Sequence, residues 1–239
     1  VLIGLWIRKD IDETPEFKQV KQSGQVAKAP LRDTLKYHWR EVLIAAGLKV
    51  VETAPFYIFS TFVVSYATTT LSYQKSQALE AVTLGALVAT VMIPLMGLLS
   101  DRIGRQKMYT LSVVLLGLFI VPWFLLLDNR STWGIALATV IAFGILWAPV
   151  TAVLGTLCSE IFSANVRYTG ITLGYQLGAA LAGGTAPLIA TGLLAKYDGD
   201  WIPVAWYLAG TVVISLIAIF CASRLKQAPG AVATRSEML

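Results

Sequence analysis

The sequence predicts an all-α membrane protein, a bundle of six transmembrane helices, and three observations predict it. Of its 239 residues, 56% are hydrophobic and only 14% charged. With a mean hydropathy of +0.68, the chain carries more apolar surface than a soluble core of this length needs. The apolar residues gather into six runs, each long enough to cross a hydrocarbon core of roughly 30 Å as a helix. The basic residues then collect on alternate connections between those runs, as they do when Lys and Arg are retained on the cytoplasmic side.

The chain opens with Val1, Leu2, Ile3, Gly4, Leu5, Trp6 and Ile7, a stretch too short to span. Arg8, Lys9 and Asp10 follow it where a signal peptide would place small residues. Without an initiating Met, it reads as the exit end of an earlier helix and the chain as a fragment. Residues 8–40 mix both charge signs with Pro15, Ser23, Gly24 and Pro30, the composition of a surface connection, with a short amphipathic helix expected near residues 31–39. The single His38 lies here, where a solvated or capping role outweighs a pH-sensing one. Residues 1–40 are therefore expected to be a helix end and a cytoplasmic central loop, and residues 41–239 the bundle with a short tail. The six runs cover residues 42–67, 78–99, 108–127, 133–158, 168–195 and 203–222.

Counting alternate connections gives fifteen basic residues on one side of the bundle and three, Lys75, Arg130 and Lys196, on the other. This places the N-terminal segment, the turn near residue 100 and the C-terminal tail in the cytoplasm, in a multi-pass protein of the plasma (bacterial inner) membrane. The excess of basic residues lies in the connections and is matched to the anionic inner surface of a lipid bilayer, so nucleic acid is not expected as a partner. Cys158 and Cys221 sit in or at the end of apolar runs, with no Cys or His cluster, so neither a disulfide framework nor a metal site is indicated. No Walker sequence, nucleophile elbow or dinucleotide fingerprint occurs, so no cofactor and no enzymatic activity are expected.

Between the second and third runs, Gly97, Asp101, Arg102, Gly104 and Arg105 stand in a short charged turn. Gly104 permits the tight reversal, Asp101 is suited to accept from N–H groups at a neighbouring helix start, and Arg102, Arg105 and Lys107 are suited to pair with carboxylates or lipid phosphates. On charge alone these are equally well ordinary positive-inside anchors. Their ordered combination resembles the cytoplasmic signature loop of the major facilitator superfamily of transporters. A second stretch, Ser159, Glu160, Ile161 and Phe162 through Val166, Arg167, Tyr168, Thr169 and Gly170, continuing to Gly174 and Gly178, resembles the corresponding turn of that family's metabolite:proton symporter branch. Gly4, Leu5, Trp6, Ile7 and Arg8 followed by Glu13, Thr14, Pro15, Glu16 and Phe17 resemble how the branch leaves its sixth helix.

The resemblance implies that the runs are helices seven to twelve, the C-terminal half of a twelve-helix major facilitator fold. It implies a secondary transporter that moves a small polar metabolite, an organic acid or zwitterionic osmolyte, by proton-coupled symport and alternating access. The missing N-terminal half, the solute and protons are then the implied partners. One departure is Ser163, Ala164 and Asn165, where the branch has a Pro-Thr-Arg-like sequence. Glu160 and Arg167 remain, leaving a pairing of this turn with Arg102 or Arg105 as the expectation for a gating cluster. The alternative is a receptor or scaffold on the same fold.

The most unusual chemistry inside a run is Lys49 with Glu52. An ionisable side chain at the bilayer centre costs about 2.5–3.5 kcal/mol on insertion scales and so needs a partner or a wet path. At a spacing of three they are neighbours on one helix face, and a start near Val42 sets them roughly 10–15 Å deep. Thr53, Phe56, Tyr57 and Ser60 share that broad face. Three readings stand: an ion pair that fixes packing, proton coupling through Glu52, and recognition of a solute carboxylate by Lys49. Trp147, Tyr175 and Gln176 are further candidates for the pathway. Gly170, Gly174, Gly178 and Ala182 repeat every four residues, as do Ala81, Gly85 and Ala89, which is the pattern of close helix packing. Pro55, Pro94, Pro122, Pro149 and Pro187 each remove a donor within a run, so kinks are expected there.

Overall fold

The computed structural model describes residues 30–227. A short helix, α1 (Pro30–Tyr37), leads into the bundle, near the expected amphipathic segment. Six long helices follow: α2 (Trp39–Thr69), α3 (Lys75–Ile103), α4 (Arg105–Asp128), α5 (Thr132–Ser159), α6 (Arg167–Lys196) and α7 (Ile202–Leu225). Each contains one predicted run and exceeds it by a few residues at one or both ends, because polar residues continue the helix into the interface once the apolar segment has formed it. The opening seven residues, most of the central loop and the end of the tail lie outside the described residues.

Small residues let the backbones approach. A Cβ on Gly174 would lie 2.5 Å from Ala45 Cβ, and one on Gly178 would lie 2.6 Å from Ala46 O. The glycine stripe of α6 is thus the surface that seats α6 on α2. On the other side of the bundle Gly85 of α3 meets Phe143 and Thr139 of α5, and Gly144 of α5 meets Val88 of α3. Helix α2 lies against both α6 and α7, while α4 touches α5 and α7. The largest fully buried side chains, Trp123, Tyr66, Tyr109, Phe59, Phe62 and Phe124, fill the space between them. Leu84, Leu87, Val91, Leu95 and Leu98 remain exposed along α3, as expected of a helix facing lipid.

The turns are held by specific groups. Gly104 joins α3 to α4 with φ of 96°, a backbone region that side chains with a Cβ rarely enter. Ser131 caps α5 by accepting from Gly134 N at 2.9 Å. Tyr73, between α2 and α3, donates to Leu127 O at 2.9 Å and stands 3.2 Å from Ser131 O, tying two loops together at this end. His38 occupies the N-cap position of α2 without a side-chain cap bond, and its ring lies 3.6 Å from Glu41.

The prolines divide into two sets. Pro55 is followed by a π-helical turn over Ile58–Phe62, and Pro149 follows another over Val140–Leu146. Helix α6 pauses at residues 183–185, and Pro187 opens its second half, a position where its missing N–H leaves no bond unmade. Pro94 and Pro122, by contrast, sit inside stretches that stay α-helical on both sides of them, each with one backbone donor missing.

Candidate functional site

The middle of α2 is a hub because three neighbouring helices bond to its backbone. Ser215 of α7 donates to Gly47 O at 2.6 Å and accepts from Val51 N at 3.1 Å, standing between two groups that would otherwise pair along the helix. Tyr109 of α4 donates to Leu48 O at 2.7 Å, and the Trp147 indole of α5 donates to Glu52 O at 2.6 Å. Inside hydrocarbon no water competes for such bonds. They also fix the rotation of α2 about its axis, and with it the direction in which Lys49 and Glu52 point.

Lys49 and Glu52 form a direct ion pair, Nζ to Oε2 at 2.5 Å, with side chains only 17% and 12% exposed. Measured from the start of α2 at Trp39, they lie about 15 and 20 Å along its axis. Thr53 Oγ1 stands 2.9 Å from Glu52 Oε2 and 3.0 Å from Lys49 O, within reach of both acceptors. Thr151 Oγ1 is 3.5 Å from the other carboxylate oxygen. The Lys49 ammonium also lies over the Tyr175 ring, 4.8 Å from its centroid, a favourable cation–π position. Gly178 leaves room for the Lys49 stem, since a Cβ there would come within 2.7 Å of Lys49 Cβ.

One turn further, Phe56 packs against Tyr57, Phe143 and Trp147 with centroids 5.3, 5.6 and 5.3 Å apart. The structure therefore brings Lys49, Glu52, Thr53, Phe56, Tyr57, Trp147 and Tyr175 into one continuous cluster. Gln176 is exposed on the neighbouring face of α6, outside these contacts. Sequence reasoning missed Thr151 and Phe143, which lie on α5 in an otherwise apolar run. Their only signal is their spacing from Trp147, four residues on either side.

At the α3–α4 turn, Arg105 bonds to Glu160 at 2.8 Å and to Asp101 at 3.2 Å. Asp101 thus accepts from a guanidinium rather than from the backbone N–H groups expected at the start of α4. The pairing links α3 and α4 to the α5–α6 turn, the connection expected between the two charged turns. Arg167 reaches back to Phe162 O at 3.4 Å. Arg102 is exposed, and a Cβ on Gly97 would meet nothing within 4 Å, so these two positions make no close packing here. A depression of about 420 Å³ is lined by Ser100, Asp101, Gly104, Arg105, Gln106, Lys107 and Glu160. In the Ser163–Asn165 departure, the Ser163 hydroxyl bonds the Asn165 side chain at 2.6 Å.

Six long apolar helices, with a largely buried ion pair on one of them and a paired basic turn at one end, define an integral membrane protein. The chain belongs to the Major Facilitator Superfamily, whose family model matches residues 1–238. It is 29% identical over 222 residues to the shikimate transporter of Escherichia coli K12, covering 92% of this chain and 51% of that protein. It is 28% identical to the proline/betaine transporter of the same organism over 228 residues, covering 90% and 44%. The alpha-ketoglutarate permease of that organism is 28% identical over 221 residues, covering 90% and 49%. The chain thus spans about half the length of the relatives it matches, and those relatives are transporters rather than enzymes. No solved structure matches it.

Proposed function

We propose that the full-length protein is a secondary active transporter of the bacterial inner membrane. It carries a small carboxylate-bearing metabolite, an organic acid or a zwitterionic osmolyte, inward with protons by alternating access. The observation that carries this reading is the Lys49–Glu52 pair, an ionic group set deep in an apolar helix beside hydroxyls and aromatic rings. Such groups inside a membrane mark solute and proton paths. In this fold class the solute site lies near the midplane between two repeats. The chain supplies one six-helix half, and a preceding half supplies the other wall. The basic turns and the C-terminus face the cytoplasm in this reading, following the charge asymmetry of the loops, and the Arg105 pairing with Asp101 and Glu160 acts as a latch on that side. The named solutes of the relatives, shikimate, proline, betaine and alpha-ketoglutarate, all carry a carboxylate.

The test is uptake of radiolabelled shikimate, alpha-ketoglutarate, proline and glycine betaine into proteoliposomes holding the full-length protein, with and without an inward proton gradient. Gradient-driven accumulation of at least one solute is expected. Uptake indifferent to the gradient refutes symport, and uptake of none refutes the carrier reading in favour of a receptor.

A further inference from the structure

We propose that Lys49 exchanges carboxylates during transport: the solute carboxylate takes the place of Glu52 on the Lys49 ammonium, and the released Glu52 carboxyl takes up the co-transported proton. This inference rests on the symport reading above and assigns its coupling step to two named side chains.

Lys49 is built to keep a carboxylate in place. Its stem is seated against Gly178 of α6, and its ammonium lies between Glu52 and the Tyr175 ring. Removing one partner of such a pair leaves an uncompensated charge in a poorly solvated site. An arriving carboxylate can therefore displace Glu52 only by replacing it. Glu52, turned off the ammonium, is then an unpaired carboxylate in an apolar helix, and protonation removes that charge.

The partners for the protonated form are already in position. In the present state the Thr53 hydroxyl has two acceptors within 3.0 Å, Glu52 Oε2 and Lys49 O. Once Glu52 holds a proton, its O–H donates to Thr53 Oγ1, and Thr53 gives its own proton wholly to Lys49 O. Thr151 Oγ1, 3.5 Å from Oε1, serves as donor before the exchange and as acceptor after it. Hydroxyls alone among neutral side chains here can reverse direction in this way.

The charges balance as well. The titratable groups facing the pair from the packed helices are Tyr109 of α4, Cys158 of α5 and Tyr175 of α6, none of which is ionised near neutrality. Lys49 and Glu52 sum to zero before loading. After loading, the cation faces one solute carboxylate and Glu52 is neutral, so that sum is unchanged. The proton comes from water on the side open at loading and returns to water on the other side when Glu52 reclaims Lys49 and expels the solute.

The experiment uses the full-length transporter, with shikimate, alpha-ketoglutarate, proline and glycine betaine as probes. Binding is titrated from pH 6 to 9, and proton uptake on binding is read with a pH dye in weak buffer. Wild type is expected to take up one proton per carboxylate exchanged at Lys49, and its affinity should fall about tenfold per pH unit in the alkaline limb. Glu52→Gln is expected to bind at least as tightly as wild type at pH 6, independently of pH and without proton uptake. Lys49→Gln should weaken binding by more than about tenfold. A pH-dependent Glu52→Gln, or a Lys49→Gln of unchanged affinity, overturns the exchange while leaving symport standing. Wild-type binding without proton uptake overturns it even if a Gln variant fails to fold. Gradient-independent wild-type uptake, or binding of none of the four probes, removes the symport reading and the exchange with it.

Discussion

Gly178→Ala isolates the contact on which the position of Lys49 depends. The added methyl would stand 2.6 Å from Ala46 O and 2.7 Å from Lys49 Cβ, closer than carbon tolerates against either atom, and one of the two is backbone that cannot rotate away. Overpacking of this kind costs about 1–3 kcal/mol. The same substitution gains up to about 1 kcal/mol of helix propensity, which a reference position removes. Gly192 lies inside the second half of α6 with nothing within 4 Å of its virtual Cβ, so Gly192→Ala gains the propensity without the clash. The expected difference between the two variants is therefore the clash alone. For a protein about twice the length of this chain it corresponds to roughly 1–6 °C in melting temperature. Thermal unfolding of the purified full-length protein in detergent micelles, followed by tryptophan fluorescence, reads it directly. Equal melting temperatures for the two variants would refute the close α2–α6 packing described above.

Further consequences can be checked alongside. Gly104→Ala forces a Cβ into a backbone with φ of 96° and should cost about 1–3 kcal/mol, seen as a lower melting temperature. A double-mutant cycle with Arg105→Gln and Glu160→Gln should give a coupling of roughly 0.2–1 kcal/mol, since both side chains remain about a third exposed. Trp147→Phe removes the donor to Glu52 O and should destabilise by about 0.5–1.5 kcal/mol, with slower uptake because α2 is freer to rotate. Burial raises the Tyr73 pKa above its ordinary 10.0, so the folded state holds that proton more tightly than the unfolded chain. Its contribution is present below pH 10 and is lost as pH rises through the higher folded value. Tyr73→Phe should therefore flatten the alkaline loss of stability measured between pH 9 and 11.

The spans and the charged turns were legible in the sequence because both follow from one-dimensional quantities, apolar length and charge order. Lys49 and Glu52 stood out for the same reason, as charges where a helix can least accommodate them. What remained hidden depends on how helices rotate against one another. Thr151 and Phe143 read as ordinary residues of an apolar run until α5 turns them toward α2, and Ser215 gave no hint that it stands within the hydrogen-bond ladder of α2. Proline positions alone did not separate Pro55 and Pro149, which adjoin π-helical turns, from Pro94 and Pro122, around which the α-helix continues, because every proline removes the same donor. The pause in α6 falls at Gly183, Gly184 and Thr185, just ahead of Pro187, where Gly183 lies close to Thr53 and Tyr57 of α2.

The most direct measurement of the central claim, that the Lys49–Glu52 face opens to the solute path during transport, is thiol accessibility in membranes of the full-length protein with Cys158 and Cys221 replaced by Ser. Tyr57→Cys, one turn beyond Glu52, is compared with Leu87→Cys, which is 60% exposed on the opposite helix α3. The account predicts that a water-soluble methanethiosulfonate labels the first and not the second, and that the transported solute slows the first. Labelling of Leu87→Cys with Tyr57→Cys silent, or labelling of Tyr57→Cys that no transported solute slows, would contradict it.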